Sequence, residues 1–275
     1  MKTGLSRNRA FVLLTGVAFT ACALSASAVP INYPDQLGDT VNYTSISEET
    51  LTAGDPDDLF GSPSVSGNTL NFDPISFTSF SSSSQFGESD VTAGQLNFDV
   101  EAFAGTVIDL IELVEAGETD IVDPFGNGSA DTFASVQGDV TLTIFEVDGG
   151  ALGLPLVINS SMTFGPSDGD WNANDDGSVS VDWNGGIVLD IEQALIDNGI
   201  AFVNGATKVS LEVVNTLSTG SEFATSAFIA KKDFHSFSIT AMGRPVPDTA
   251  STSILLLLAC ASLLGARKKL GGKEE

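Results

Sequence analysis

The chain has 275 residues, with 36 Asp and Glu against 11 Lys and Arg, a net charge of −25, and 42% hydrophobic residues. So acidic a molecule repels phosphate backbones and anionic lipid head groups, which excludes nucleic-acid binding. Its two cysteines, Cys22 and Cys260, lie near opposite ends, so the long stretch between them has no disulfide and no thiolate metal site.

Lys2, Arg7 and Arg9 precede an apolar run over 11–23, and Ala26-Ser27-Ala28 has the small-x-small pattern that signal peptidase cuts. Residues 1–28 are therefore predicted to be a signal peptide, cut after Ala28 with Ala26 at the other small position, so that Val29 begins the mature chain. Thr20-Ala21-Cys22 offers a lipoprotein site instead. Phe19 stands where such sites favour Leu, and ordinary cleavage is the expectation. Residues 29–66 are predicted to be poorly structured, with Asp55-Pro56-Asp57-Asp58 and Ser62-Pro63-Ser64 as breakers.

From 67 to 243 the pattern alternates with period two and is rich in β-branched and aromatic residues. Strands are predicted over 70–80, 95–103, 106–115, 140–147, 156–164, 178–183, 208–217, 222–230 and 234–242. Turn residues punctuate them at Asp148-Gly149-Gly150, Asp175-Asp176-Gly177 and Asn184-Gly185-Gly186. Val140, Leu142, Ile144 and Val147 share one face of their strand, as do Val209, Leu211 and Val213 of theirs. These faces should be dry. The expectation is an all-β fold, an antiparallel, jelly-roll-like β-sandwich of one domain. One short helix interrupts it, 191–198, capped by Asp190 and stopped by Gly199, and it should pack as a lid on a sheet edge.

Candidate chemistry within this domain is sparse. His235 is the sole histidine and no Gly-x-Ser-x-Gly elbow is present, so neither a nucleophilic triad nor a histidine zinc site is expected. Paired carboxylates could run glycoside hydrolysis, but with so many acids some pair falls at the right separation by chance. Trp171 and Trp183 could stack on sugar rings or simply fill the core. The densest oxygen-bearing stretch holds Asp168, Asp170, Asn172, Asn174 and Asp176, with Asp182 beyond. Its Asn-x-Asn-x-Asp-Gly spacing imitates a Ca²⁺ loop, with Trp183 where a bidentate Glu belongs. An Asn/Asp-rich turn explains the same composition, and no other cofactor is expected.

The C-terminus, 244–275, has three parts. Val246-Pro247-Asp248-Thr249-Ala250-Ser251-Thr252 is followed by an apolar helix predicted over 253–266, then by Arg267, Lys268 and Lys269. The apolar run is short against the roughly 20 residues a spanning helix needs. Its uniform hydrophobicity and abutting basic cluster favour a membrane anchor with the acidic domain outside. Between Ala28 and the basic cluster at 267–269 lie 34 of the acids and only Lys208, Lys231, Lys232 and Arg244 of the bases, a net charge of −30.

This tail resembles the PEP-CTERM type of C-terminal sorting signal, in the variant that reads Val-Pro-Asp-Ser-Gly-Ser-Thr. Val246, Pro247, Asp248, Ser251 and Thr252 match, while Thr249 and Ala250 replace Ser and Gly. The resemblance covers about 25 residues and implies processing by an exosortase, in a Gram-negative bacterium that makes exopolysaccharide. The resulting expectation is a non-enzymatic protein of the cell surface or extracellular (biofilm) matrix, with exopolysaccharide as a candidate partner. A Ca²⁺-assisted carbohydrate-binding module and a secreted glycoside hydrolase are the alternatives.

Overall fold

Sixteen strands, two short α-helices and a 3-10 turn at Ser167–Gly169 lie within the residues that the computed structural model describes, 29–84, 87–126, 129–232 and 236–246. The first strands are short except for β3: β1 Ile31–Asn32, β2 Gln36–Leu37, β3 Val41–Thr50, β4 Ser64–Ser66, β5 Thr69–Phe72 and β6 Thr78–Ser82. Four long ones follow, β7 Glu88–Ala102, β8 Thr106–Val122, β9 Phe133–Val147 and β10 Gly150–Ser161. Next come β11 Thr163–Gly165, β12 Asp170–Asn172, α1 Ala173–Asp176, β13 Val179–Asp190 and α2 Ile191–Asp197. The chain then lays down β14 Ala206–Ser221, β15 Ser226–Lys231 and β16 Phe237–Pro245.

The strand pairs are antiparallel and divide into two layers. One runs β10–β9–β14–β7–β3, with β1 and β2 on the free edge of β3. The other runs β11–β13–β8, and the far edge of β8 is shared between β16 and β15, which continue to β5–β4 and to β6. The layers join near the starts of β14 and β8, at the pair Ala206↔Ile108. Their inner faces form one core that includes Val209, Leu211, Val213 and Leu217 of β14 and Ile111, Leu113 and Ile121 of β8. This curled antiparallel arrangement is consistent with a β-sandwich.

Val140, Leu142 and Ile144 face the core as alternation requires. Val147 faces it too, because β9 and β14 shift register beside Phe145, turning that ring outward and restoring the phase. The helix forms where expected: Asp190 Oδ1 accepts the Gln193 N–H at 2.8 Å, and Ile191 and Leu195 are buried against the core. The reciprocal half of a capping box is not made, since the Gln193 amide bonds Asp197 instead.

Two expectations are corrected. Residues 29–66 are not poorly structured throughout, for β3 is a ten-residue strand paired with β7, and its Val41 and Tyr43 are fully buried. A bulge at Ser45 (φ 56) breaks the alternation, so Val41 and Tyr43 point inward in one phase and Ile46, Glu48 and Thr50 in the other. A pattern interrupted in this way does not read as a strand. Likewise Asn184-Gly185-Gly186 is not a turn but the middle of β13. A Cβ on Gly185 would lie 2.2 Å from the ring of Phe164, so the glycine admits an aromatic there.

Among the described residues no helix is long and apolar enough to cross a membrane. The predicted signal peptide with Ala26 and Ala28, the predicted membrane helix, and Pro247, Asp248, Arg267, Lys268 and Lys269 lie outside the described residues, as does His235. The last strand runs two residues past the domain end expected at 243.

Candidate functional site

The inner faces of the two layers enclose an acid, a base and an amide. Glu115 of β8, flanked by Gly185 and Phe237 on neighbouring strands, projects from one layer. Lys231, at the end of β15 opposite Gly117, comes from the same layer. Asn215 of β14 projects from the facing layer between Gly138 and Gly94. The Glu115 and Lys231 side chains are 0% exposed and form an ion pair through Glu115 Oε2. Asn215 Nδ2 donates to Glu115 Oε1 at 3.1 Å.

An aromatic wall seals the cluster. Lys231 Nζ lies 4.7 Å from the ring centroid of Phe237, 4.9 Å from Phe77 and 5.3 Å from Phe60. The rings favour the cation. Burial works the other way, pushing the Lys231 ammonium below its usual range and the Glu115 carboxyl above its own, with each partner opposing the shift of the other. Phe60 owes its place to a second enclosed acid. Glu48 Oε2 accepts the Phe60 N–H at 2.7 Å while its other oxygen takes the Tyr33 hydroxyl. Burial raises the Glu48 carboxyl.

None of these residues stands out as a motif, yet strand phase places them. Glu115 is in step with Ile111 and Leu113, Asn215 with Val213 and Leu217, and Lys231 with Ala227 and Ile229, all buried. A polar residue on an apolar phase was the available signal.

The end of the domain is held by polar contacts. Arg244 donates to Asp109 Oδ1 at 3.1 Å, Glu192 Oε2 at 3.2 Å and the Asn204 carbonyl at 2.7 Å. A cavity of about 460 Å³ opens beside Val246, lined by Glu101, Asp148, Asn204 and Lys208 among others. Asp148, in the β9–β10 turn, accepts the backbone N–H groups of Val203 and Asn204, each at 2.7 Å, and of Gly205 at 3.1 Å. Desolvation raises its carboxyl, but these three donors outweigh it and hold the group below its usual range. A carboxylate depressed in the folded state stabilises above its unfolded pKa of about 3.9 and loses that contribution as pH falls through the folded value. Asp148→Asn is therefore expected to lower the melting temperature at neutral pH and to flatten the acid limb of the profile. Thermal melts between neutral and acidic pH test this, and a wild-type profile for the variant would refute it.

The predicted Ca²⁺-loop residues do not gather on one point. Asp168 sits in a 3-10 turn, Asp170 and Asn172 lie on β12, and Asp182 is on β13 opposite Glu118. Asn172 caps α1, its Oδ1 accepting the Asp175 N–H at 3.0 Å, and Asp176 accepts the Asn172 N–H at 2.9 Å. Asn174 turns its amide to Asp175. Here the spacing that imitates a metal loop serves a helix cap. Among the described residues no group of three or more His, Cys, Asp and Glu is placed to hold a metal ion. Trp171 and Trp183 are 2% and 1% exposed, so neither is a platform for a sugar ring. Trp183 packs edge-on against Phe164 at 6.0 Å instead.

What the fold and this cluster define is a class: a strongly acidic, all-antiparallel domain with a polar triad sealed between its two layers. No family model and no curated protein matches the chain. Among solved structures, TmCBM61 in complex with β-1,4-galactotriose is similar at 10% identity over 63% of this chain and 70% of that one, with a TM-score of 0.18. So slight a likeness says nothing about what this chain binds.

Proposed function

We propose that the chain is an exported, non-catalytic protein of the cell surface or extracellular matrix, delivered by its N-terminal signal and processed through its tail by an exosortase-like enzyme. The observation that carries this is the order of the tail. The motif 246–252, the apolar segment 253–266 and the basic residues Arg267, Lys268 and Lys269 follow directly on the last strand. Val246 donates its N–H to the Gly105 carbonyl at 2.9 Å, so the described domain reaches the first residue of the motif. A passenger domain whose last strand leads straight into a sorting signal would have this order. In this reading the domain is jelly-roll-like, the apolar segment spans the membrane until processing, and exopolysaccharide is the partner that the tail's resemblance implies.

The test is processing. Pro247→Ala combined with Asp248→Ala should leave the chain attached to membranes but uncleaved in a host that carries an exosortase, read as an unprocessed band on immunoblots of the membrane fraction. Neutralising Arg267, Lys268 and Lys269 together should weaken retention as well, because the basic stop is lost. Normal cleavage of the double variant would overturn the proposal.

A further inference from the structure

Glu115, Asn215 and Lys231 come from three strands and both layers, and all three are buried. They meet on one carboxylate, with the Asn215 amide on Oε1 and the Lys231 amine on Oε2. Asn215 Oδ1 has no hydrogen-bond partner among the described residues. A buried ion pair adds little over an apolar pair of the same size, and a half-satisfied amide beside it is a further cost. Packing alone does not account for the three together. Their shared property is chemical: an amine, an amide, and a carboxyl that touches both and can move a proton between them.

We propose that Lys231 Nζ and Asn215 Cγ become joined by an intramolecular amide bond, formed by the protein on itself, with Glu115 as its catalytic residue. Lys231 first passes one proton to Glu115, which exchanges two buried charges for two neutral groups. The amine lone pair then adds to Asn215 Cγ, forming the C–N bond and placing the carbonyl electrons on Oδ1. Glu115 gives its proton to Nδ2 and takes one from Nζ. The Cγ–Nδ2 bond breaks, the carbonyl reforms, and ammonia leaves. The products are the new amide, a protonated Glu115 and one ammonia, with nothing oxidised or reduced.

The surroundings suit this step. Burial shifts both titrating groups in the direction the first transfer needs, the amine down and the carboxyl up. Gly94 and Gly138, on either side of Asn215, leave room for Phe60, Phe77 and Met162 to close on it. With the three phenyl rings over Nζ, water is kept from the bond once it has formed. The link would tie β14 of one layer to β15 of the other, in a domain whose described residues include no cysteine for a disulfide.

Peptide mass spectrometry of the purified full chain tests the proposal directly. Cleavage after glutamate, at Glu212 and Glu222, puts residues 215 and 231 on different peptides. The expected result is a branched peptide joining the two, lighter than their sum by one ammonia, and a Lys231 that trypsin no longer cuts. Glu115→Gln, which keeps the size of the side chain but cannot carry the proton, should yield the two peptides apart. Separate peptides of full mass from the wild-type chain would overturn the proposal. A join that costs one water instead of one ammonia would overturn it too, since it would place the bond on a carboxylate.

Discussion

Lys231→Met should destabilise the domain by about 3–5 kcal/mol at neutral pH, the usual cost of stranding one member of a buried ion pair. Glu115 would be left fully enclosed, with the Asn215 amide as its one remaining described hydrogen-bond donor. The carboxyl would escape by staying protonated, which raises its folded pKa well above the unfolded value of about 4.3. The sign of the pH dependence follows from that. An acid whose pKa is raised on folding binds more protons folded than unfolded, so the variant gains stability as pH falls and loses it as pH rises toward the folded pKa. The deficit should therefore be largest near neutrality and shrink toward the unfolded pKa. In a wild-type chain whose pair is unjoined the two charges cancel, and the same window should be flatter; in a joined chain Glu115 is already protonated, and both proteins should show the same slope. Urea unfolding of both proteins at neutral and mildly acidic pH reads this, and loss of a covalent link alone would add a deficit that does not change with pH. A Lys231→Met chain with wild-type stability at neutral pH would show that the cluster is not sealed from water.

The second large effect is expected at Gly117, where β8 is held on both sides. Gly117 pairs with Trp183 of β13 and with Lys231 of β15. A Cβ at this position would lie 2.0 Å from the Ala230 carbonyl oxygen and 2.3 Å from Trp183 Cζ2. Neither neighbour can give way easily, since one is ladder backbone and the other an indole 1% exposed. Gly117→Ala should cost the upper end of the roughly 1–3 kcal/mol typical of overpacking, or more. Near-UV circular dichroism should report a displaced Trp183, alongside a lower urea midpoint. Adding Trp183→Leu should relieve the clash with the ring but not the one with Ala230, so stability should not return. A single variant with an unchanged midpoint would mean that the strands part at this point without penalty.

Strand phase was legible wherever it ran unbroken. Val140, Leu142 and Ile144, or Val209, Leu211 and Val213, announce a buried face because alternate residues must share it. Asp190 and Gly199 bracket the helix because an orphan N–H needs an acceptor and a helix end needs a left-handed residue, here at φ 67. Where a bulge shifted the phase, as at Ser45, or where a glycine served aromatic packing instead of a turn, as at Gly185, the local pattern misled. The stretch from Asp168 to Asp182 left its reading open for a related reason. Asn and Asp at alternate positions satisfy a metal, a turn or a helix cap equally well, and only the path of the backbone chooses.

By itself the amino-acid sequence determined the β character of the domain, its acidity and the tripartite form of its tail, because each rests on residues that act locally or in bulk. Only the tertiary structure decided that Trp171 and Trp183 are core, that Val41–Thr50 completes a sheet, and that Glu115, Asn215 and Lys231 meet. Glu115 lies 100 residues from Asn215 in the chain, and Asn215 reaches it and Lys231 from the facing layer. Which residue faces which across two packed sheets depends on the register of every intervening pair and on each bulge that resets it, so no local pattern encodes the encounter.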